Sequence, residues 1–209
     1  MNRIIFLIDG FNVYHSILAL EEDTGCCTKW LDYKSLCESY IPLGGKDANL
    51  EAVYYFSAIP YYLNKPDKIQ RHKDYIKCLE STGIKKELGR FKEKSVYCQQ
   101  CRKMILKHEE KETDVAIAIK LFKIFHKKEC DTAIIMTGDT DLSPAVRECN
   151  ALFPNKKIMF AFPFFRYNAE LKLLAPDSFK IGKEQYIKHQ LPNPVILPDG
   201  QVIHKPQTW

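Results

Sequence analysis

Residues 4–10 read Ile4-Ile5-Phe6-Leu7-Ile8-Asp9-Gly10, five apolar side chains in a row stopped by a turn-forming pair. A run this short, rich in β-branched residues and closed by a turn signal, predicts a strand buried on both faces. Working outward, a helix-like stretch follows from about Asn12 to Leu20, and Ala52 to Phe56 reads as a second buried strand. Pro66 suits the first turn of a helix that ends at Gly83. Thr113 reads as the N-cap of a long helix whose apolar face is Val115, Ala118, Ile119, Phe122 and Phe125. Ala133-Ile134-Ile135-Met136 is a further strand, Ser143 and Pro144 open another helix as N-cap and first residue, and Ile158 to Phe162 is the last clear core strand. Apolar strands alternating with helices predict an α/β fold, with a mostly parallel central sheet covered on both faces in three layers.

The rest of the chain fits one large domain of about 190 residues. Of 209 residues, 45% are hydrophobic and 27% charged, which excludes general disorder. The longest apolar run, Ile158 to Phe165, holds Pro163 and falls far short of the roughly 20 residues of a membrane span. Met1-Asn2-Arg3 lead straight into the first strand, so no signal peptide and no membrane partner are expected, and the cytoplasm is the expected location. Residues 84 to 111 are charged and strand-poor, a basic, Cys-containing insertion. Residues 191–209 form a Pro-rich arm or edge hairpin ending at Trp209. The net charge of +5 permits a nucleic-acid partner without demanding one.

In open α/β sheets the ligand site lies outside the carboxyl ends of the strands. Asp9 follows the first strand, Asp139 and Asp141 follow the strand ending at Met136, and Asp114 lies in the first turn of a helix. If the two strands are neighbours, these carboxylates converge on one crevice. Crowded carboxylates repel and raise each other's pKa values. A hard divalent cation, Mg²⁺ or Mn²⁺, relieves that conflict and commonly serves phosphate-ester chemistry. Taken singly, Asp9 is also a turn former and Asp114 a helix-dipole partner. Two acids in Gly138-Asp139-Thr140-Asp141 exceed what a turn needs.

Three segments carry a family resemblance. Asp9-Gly10-Phe11-Asn12-Val13-Tyr14 resembles the D-G-x-N-x signature of NYN domains, a branch of the PIN-like nuclease superfamily. Glu112-Thr113-Asp114-Val115-Ala116-Ile117-Ala118 is similar to their K/E-x-x-D-V segment, and Thr137-Gly138-Asp139-Thr140-Asp141-Leu142-Ser143-Pro144 to S-G-D-S-D-F-x-P. The resemblance runs in order over about residues 3 to 165. It implies a Rossmann-like PIN fold and a metal-dependent endoribonuclease, with Asp9, Asp114, Asp139 and Asp141 both catalytic and holding Mg²⁺ or Mn²⁺. It also implies that Asn12 orients a ligand or water and that Thr137 replaces the family's small hydroxyl residue. Many relatives carry another Asp about two turns after Asp114; Lys120 stands there, which points to an RNA phosphate in place of a second ion. RNA is the implied partner, and a second copy of the chain or a cognate inhibitor protein is compatible with it.

Eight cysteines without a secretory signal read as thiols. Cys37, Cys78, Cys130 and Cys149 fall in helix-like patterns and pack as small hydrophobes. Cys98 and Cys101 have the C-x-x-C spacing of half a structural Zn²⁺ site, with His108, Cys78 and the Cys26-Cys27 pair as the other candidates. Around them Lys85, Lys86, Arg90, Lys92, Lys94, Arg102, Lys103 and Lys107 are interleaved with Phe91 and Tyr97, a composition that suits single-stranded RNA as well as a solvated surface. The alternative functions are a non-catalytic RNA- or nucleotide-binding regulator and a small-molecule phosphohydrolase. A haloacid-dehalogenase-type enzyme would need an Asp where Phe11 stands.

Overall fold

The computed structural model describes residues 1–100 and 102–209. In chain order the elements are β1 (Asn2–Asp9), α1 (Gly10–Thr24), α2 (Tyr33–Ser39), β2 (Ala48–Ala58), α3 (Pro66–Ser81), β3 (Lys85–Cys98), β4 (Lys103–Lys111) and α4 (Thr113–His126). They continue with β5 (Thr132–Met136), α5 (Ser143–Leu152), β6 (Lys157–Phe162), α6 (Ala169–Leu174), β7 (Phe179–Lys180), α7 (Lys183–Lys188), β8 (Val195–Ile196) and β9 (Val202–Ile203).

Among the described residues, seven strands form one sheet in the order β4-β3-β2-β1-β5-β6-β7. Every pairing is parallel except β3 with β4. Strand β1 lies at the centre because Ile4 to Ile8 supply apolar side chains to both faces. Successive side chains of a strand point to opposite faces. Ile4, Phe6 and Ile8 therefore enter the core under α1, α2 and α3, while Ile5 and Leu7 enter the core under α4 and α5. This is the three-layer α/β architecture that the apolar strands imply. The chain leaves β1 toward β2 on one side and later returns beside it as β5, so the order reverses at β1. The carboxyl ends of β1 and β5 therefore flank a crevice.

The basic insertion is not strand-poor. Strand β3 begins parallel to β2 over Lys85 to Gly89, then leaves it and pairs antiparallel with β4 from Arg90 to Cys98. Beyond the sheet edge most side chains of this ribbon are exposed, with the others only partly buried. Neither an apolar run nor a clean alternation is imposed on its sequence, and the charged composition hid it.

Helix α4 also differs from expectation. The buried residues are Ile117, Leu121, Ile124 and Phe125, whereas Val115 and Ile119 are 63% and 62% exposed. The helix is apolar on both stripes, so periodicity alone could not choose between them. Two caps shift by one residue. Glu112 occupies the N-cap position of α4 with φ 80°, and Thr113 is the first helical residue, its hydroxyl donating to Glu110 at 2.6 Å. Leu142 caps α5, and the Ser143 hydroxyl donates to Glu170.

Past β6 the short edge strand β7 adds one more pairing to the sheet. The Pro-rich arm closes as the β8–β9 hairpin against the α1–α3 face, where Trp209 packs on Trp30 and Tyr75. Cys37, Cys78, Cys130 and Cys149 are all buried, as small apolar residues are. No helix among the described residues is long and apolar enough to cross a membrane.

Candidate active site

Asp9 ends β1 and caps α1. Its Oδ1 accepts the Asn12 backbone N–H at 3.0 Å and its Oδ2 accepts the Thr137 hydroxyl at 2.8 Å. Gly10 follows because nothing larger fits: a β-carbon there would lie 2.6 Å from the Phe56 carbonyl oxygen. Strand β5 runs parallel beside β1, pairing Ile8 with Met136, and so delivers Thr137 to Asp9. The Thr137 hydroxyl is wholly buried and also accepts the Asp139 N–H at 3.2 Å. Asn12 Oδ1 accepts the Gly138 N–H at 3.2 Å. Gly138 in turn is pressed against the backbone of Arg166, whose carbonyl oxygen would sit 2.0 Å from any β-carbon at that position. The Thr137-Gly138-Asp139 turn is thus held from Asp9 on one side and Asn12 on the other.

Asp139 Oδ1 accepts the Asp141 N–H at 3.0 Å, capping a single turn of 3-10 helix over Thr140–Leu142. Across the crevice, the first turn of α4 presents Asp114. Carboxylate oxygens of Asp114, Asp139 and Asp141 all lie within 4.8 Å of one another. Asp9 is outside this trio, buried behind it, with both oxygens already accepting hydrogen bonds.

Electrostatics follow the geometry. Burial, more than the neighbouring charges of Asp114 and Asp139, pushes the Asp9 carboxyl up to about 6 against the pull of its two hydrogen bonds. Asp114 is raised by burial first and then by Asp139 and Asp141. Mutual repulsion, the cause expected from the sequence, is the smaller contribution at both. Glu110, at the end of β4, joins the group: burial pushes it up to about 7, with Asp9 and Asp114 adding to the rise. Sequence reading missed it because Glu109, Glu110 and Glu112 form one charged run. Only the strand that turns Glu110 inward distinguishes it. Arg147 was also missed. It lines an open groove beside Asp114 and Asp141, one turn into α5.

Two other expected residues are engaged within the fold. The Lys120 ammonium pairs with Glu87 and lies 4.2 Å from the centre of the Tyr54 ring. Thr137 has no exposed surface, so it acts on Asp139 rather than on a ligand. Of the cysteine pair, Cys98 closes β3 and Cys101 lies outside the described residues. His108 stacks on Tyr62 at 3.9 Å and approaches Glu93, and Cys78 is buried on the core-facing side of α3.

Three crowded carboxylates are a hard-oxygen donor set, and the raised carboxyls around them mark acids held in a partly buried site. Both observations fit a divalent cation such as Mg²⁺ or Mn²⁺. A family model, that of the NYN domain, matches residues 3–172. The fold is similar to a crystal structure of a protein of unknown function from Vibrio parahaemolyticus RIMD 2210633. That likeness has a TM-score of 0.58 at 18% identity, covering 91% of this chain and 96% of that one. No curated protein matches the chain.

Proposed function

The chain belongs to the NYN domain family, and from that premise we propose that it is a metal-dependent endoribonuclease. The observation that supports this reading most is the meeting of Asp114, Asp139 and Asp141 within 4.8 Å at the crevice between β1 and β5. These three would hold the cation. When bound, it would polarise a phosphoryl oxygen and lower the pKa of a water.

The chain's own residues do the rest. Asp9 and Thr137 fix the direction of Asp139 from behind, and Asn12 fixes the turn through Gly138. Arg147 stands beside the groove as a cation for an RNA phosphate. Glu110, with its carboxyl pushed up to about 7, can take up or release a proton at the site. Lys120, paired to Glu87, puts a cation at the α4 position where relatives carry an acid that could hold a second ion. A single-ion site is the simpler reading. RNA as the substrate is supported by the basic β3–β4 ribbon beside the crevice, whose Phe91 ring approaches Phe11 of α1 at 6.4 Å.

The test is cleavage of end-labelled single-stranded RNA with Mn²⁺, with and without chelator. Internal cuts that vanish with chelator are expected. Tight RNA binding with no metal-dependent cut would favour the regulator reading, and turnover of phosphomonoesters alone the phosphohydrolase.

A further inference from the structure

On the α1–α3 face of the sheet lies a cavity of 610 Å³. Its size falls within the roughly 300–1,000 Å³ of small-ligand sites. Tyr33, Tyr55 and Tyr75 line it, all buried. Three more rings, Phe11, Tyr62 and Phe91, come from three separate segments and reach solvent in part. They are packed edge to face: Phe11 on Phe91 at 6.4 Å and Tyr62 on Phe91 at 5.0 Å. Helix α3 contributes Lys68, Arg71 and His72 to the lining, and a spacing of three or four residues puts them on one helix face. No acidic residue among the described ones lines the cavity. Gly10, the residue after Asp9, forms part of the wall.

We infer that this cavity is a nucleobase pocket for one residue of the bound RNA. The inference rests on the ribonuclease reading for its choice of RNA. A ligand that satisfies the lining must be planar and apolar in its body and anionic at one end, which describes a nucleotide. Base stacking on aromatic rings is tolerant of sequence, and Lys68 and Arg71 give a phosphate its cations. Gly10 in the wall directly follows Asp9, which places the pocket at the carboxyl end of β1. Phe91 makes the basic ribbon part of the pocket, giving that insertion a role in the site.

The experiment measures binding of fluorescein-labelled tetraribonucleotides, with chelator present so that no cleavage intrudes. Intact strands are compared with strands carrying one abasic residue at each position in turn, and with free nucleoside monophosphates. One abasic position should weaken binding by roughly 10-fold or more, the usual scale of a lost base–aromatic stack. Phe91→Ala should abolish that position's sensitivity. Replacing Lys68 and Arg71 together with Ala should weaken binding and shallow its salt dependence by about two contacts. Abasic strands that all bind like the intact one, or a Lys68/Arg71 double variant with unchanged binding, would overturn the pocket. Monophosphates that bind as tightly as the tetranucleotide would assign it to a free nucleotide and overturn the RNA assignment. Metal-dependent cleavage is scored separately. Its failure beside a retained abasic penalty sinks the nuclease reading alone, and the opposite pattern sinks the pocket alone.

Discussion

The Thr137 hydroxyl occupies the centre of the site's hydrogen bonding, donating to Asp9 and accepting from Asp139. Thr137→Val keeps the shape but leaves a buried carboxylate oxygen and the Asp139 N–H short of a partner, which costs about 1–3 kcal/mol. The same variant should lose about 10–100-fold in metal affinity, the scale for groups that orient a metal's ligands. Thr137→Ser should restore both. Chemical denaturation and Mn²⁺ titration read the two effects, and a Val variant with parental metal affinity would remove Thr137 from the site. At this scale the sequence was informative where one residue sat at a strand end. Asp9, Asp139 and Asp141 could be placed from the apolar runs before them. Glu110 could not, because its inward turn depends on a ribbon with no hydrophobic signature. Nor did residue type reveal that Thr137 faces inward, since serine and threonine suit both caps and ligand contacts.

Helix α4 and strand β3 meet at Lys120 and Glu87, over the ring of Tyr54. The Lys120 side chain is only 14% exposed, so this pair is screened less than a surface one. Lys120→Ala should therefore destabilise the protein by about 1–2 kcal/mol, more than a surface pair and less than a fully buried one. Its effect should be non-additive with Glu87→Gln in a double-mutant cycle. The salt dependence of RNA binding should stay parental. A shallower slope by one contact would instead return Lys120 to a phosphate. The central strands were legible because burial on both faces writes an apolar run. The two stripes of α4 were not resolved, since Val115-Ile119-Phe122 and Ile117-Leu121-Ile124 are equally apolar and only the sheet decides between them.

For the whole molecule, the sheet gathers carboxylates at one edge, and burying them opposes folding in the absence of a cation. The Asp9 and Glu110 carboxyls, ordinarily at 3.8 and 4.5, stand at about 6 and about 7 in the fold. Between those limits the folded protein binds more protons than the unfolded chain, so stability falls as pH rises from about 4 to about 7 and then levels. The Asp131 carboxyl, held well below its ordinary range by Arg3 and Lys156, works in the opposite sense. Its contribution is present above pH 4 and is lost in stronger acid. Melting temperatures of metal-free parent, Asp9→Asn and Glu110→Gln should show the parent falling most steeply across this window. Saturating Mn²⁺ should raise the parent's melting temperature most at the alkaline end, where its ligands are ionised. Equal slopes in all three proteins would mean that the edge carries no such strain.

The central claim, that the Asp114–Asp139–Asp141 cluster cuts RNA, is tested most directly by single-turnover cleavage with Asp139→Asn in Mn²⁺. The substitution keeps the oxygen that accepts the Asp141 N–H and removes one negative charge from the donor set. The rate should fall by more than the roughly 10–100-fold typical of a lost supporting group. The metal-free melting temperature should hold or rise, because Asp139 is among the charges that raise Asp9 and Asp114. An Asp139→Asn protein that cleaves RNA as fast as the parent would contradict the assignment.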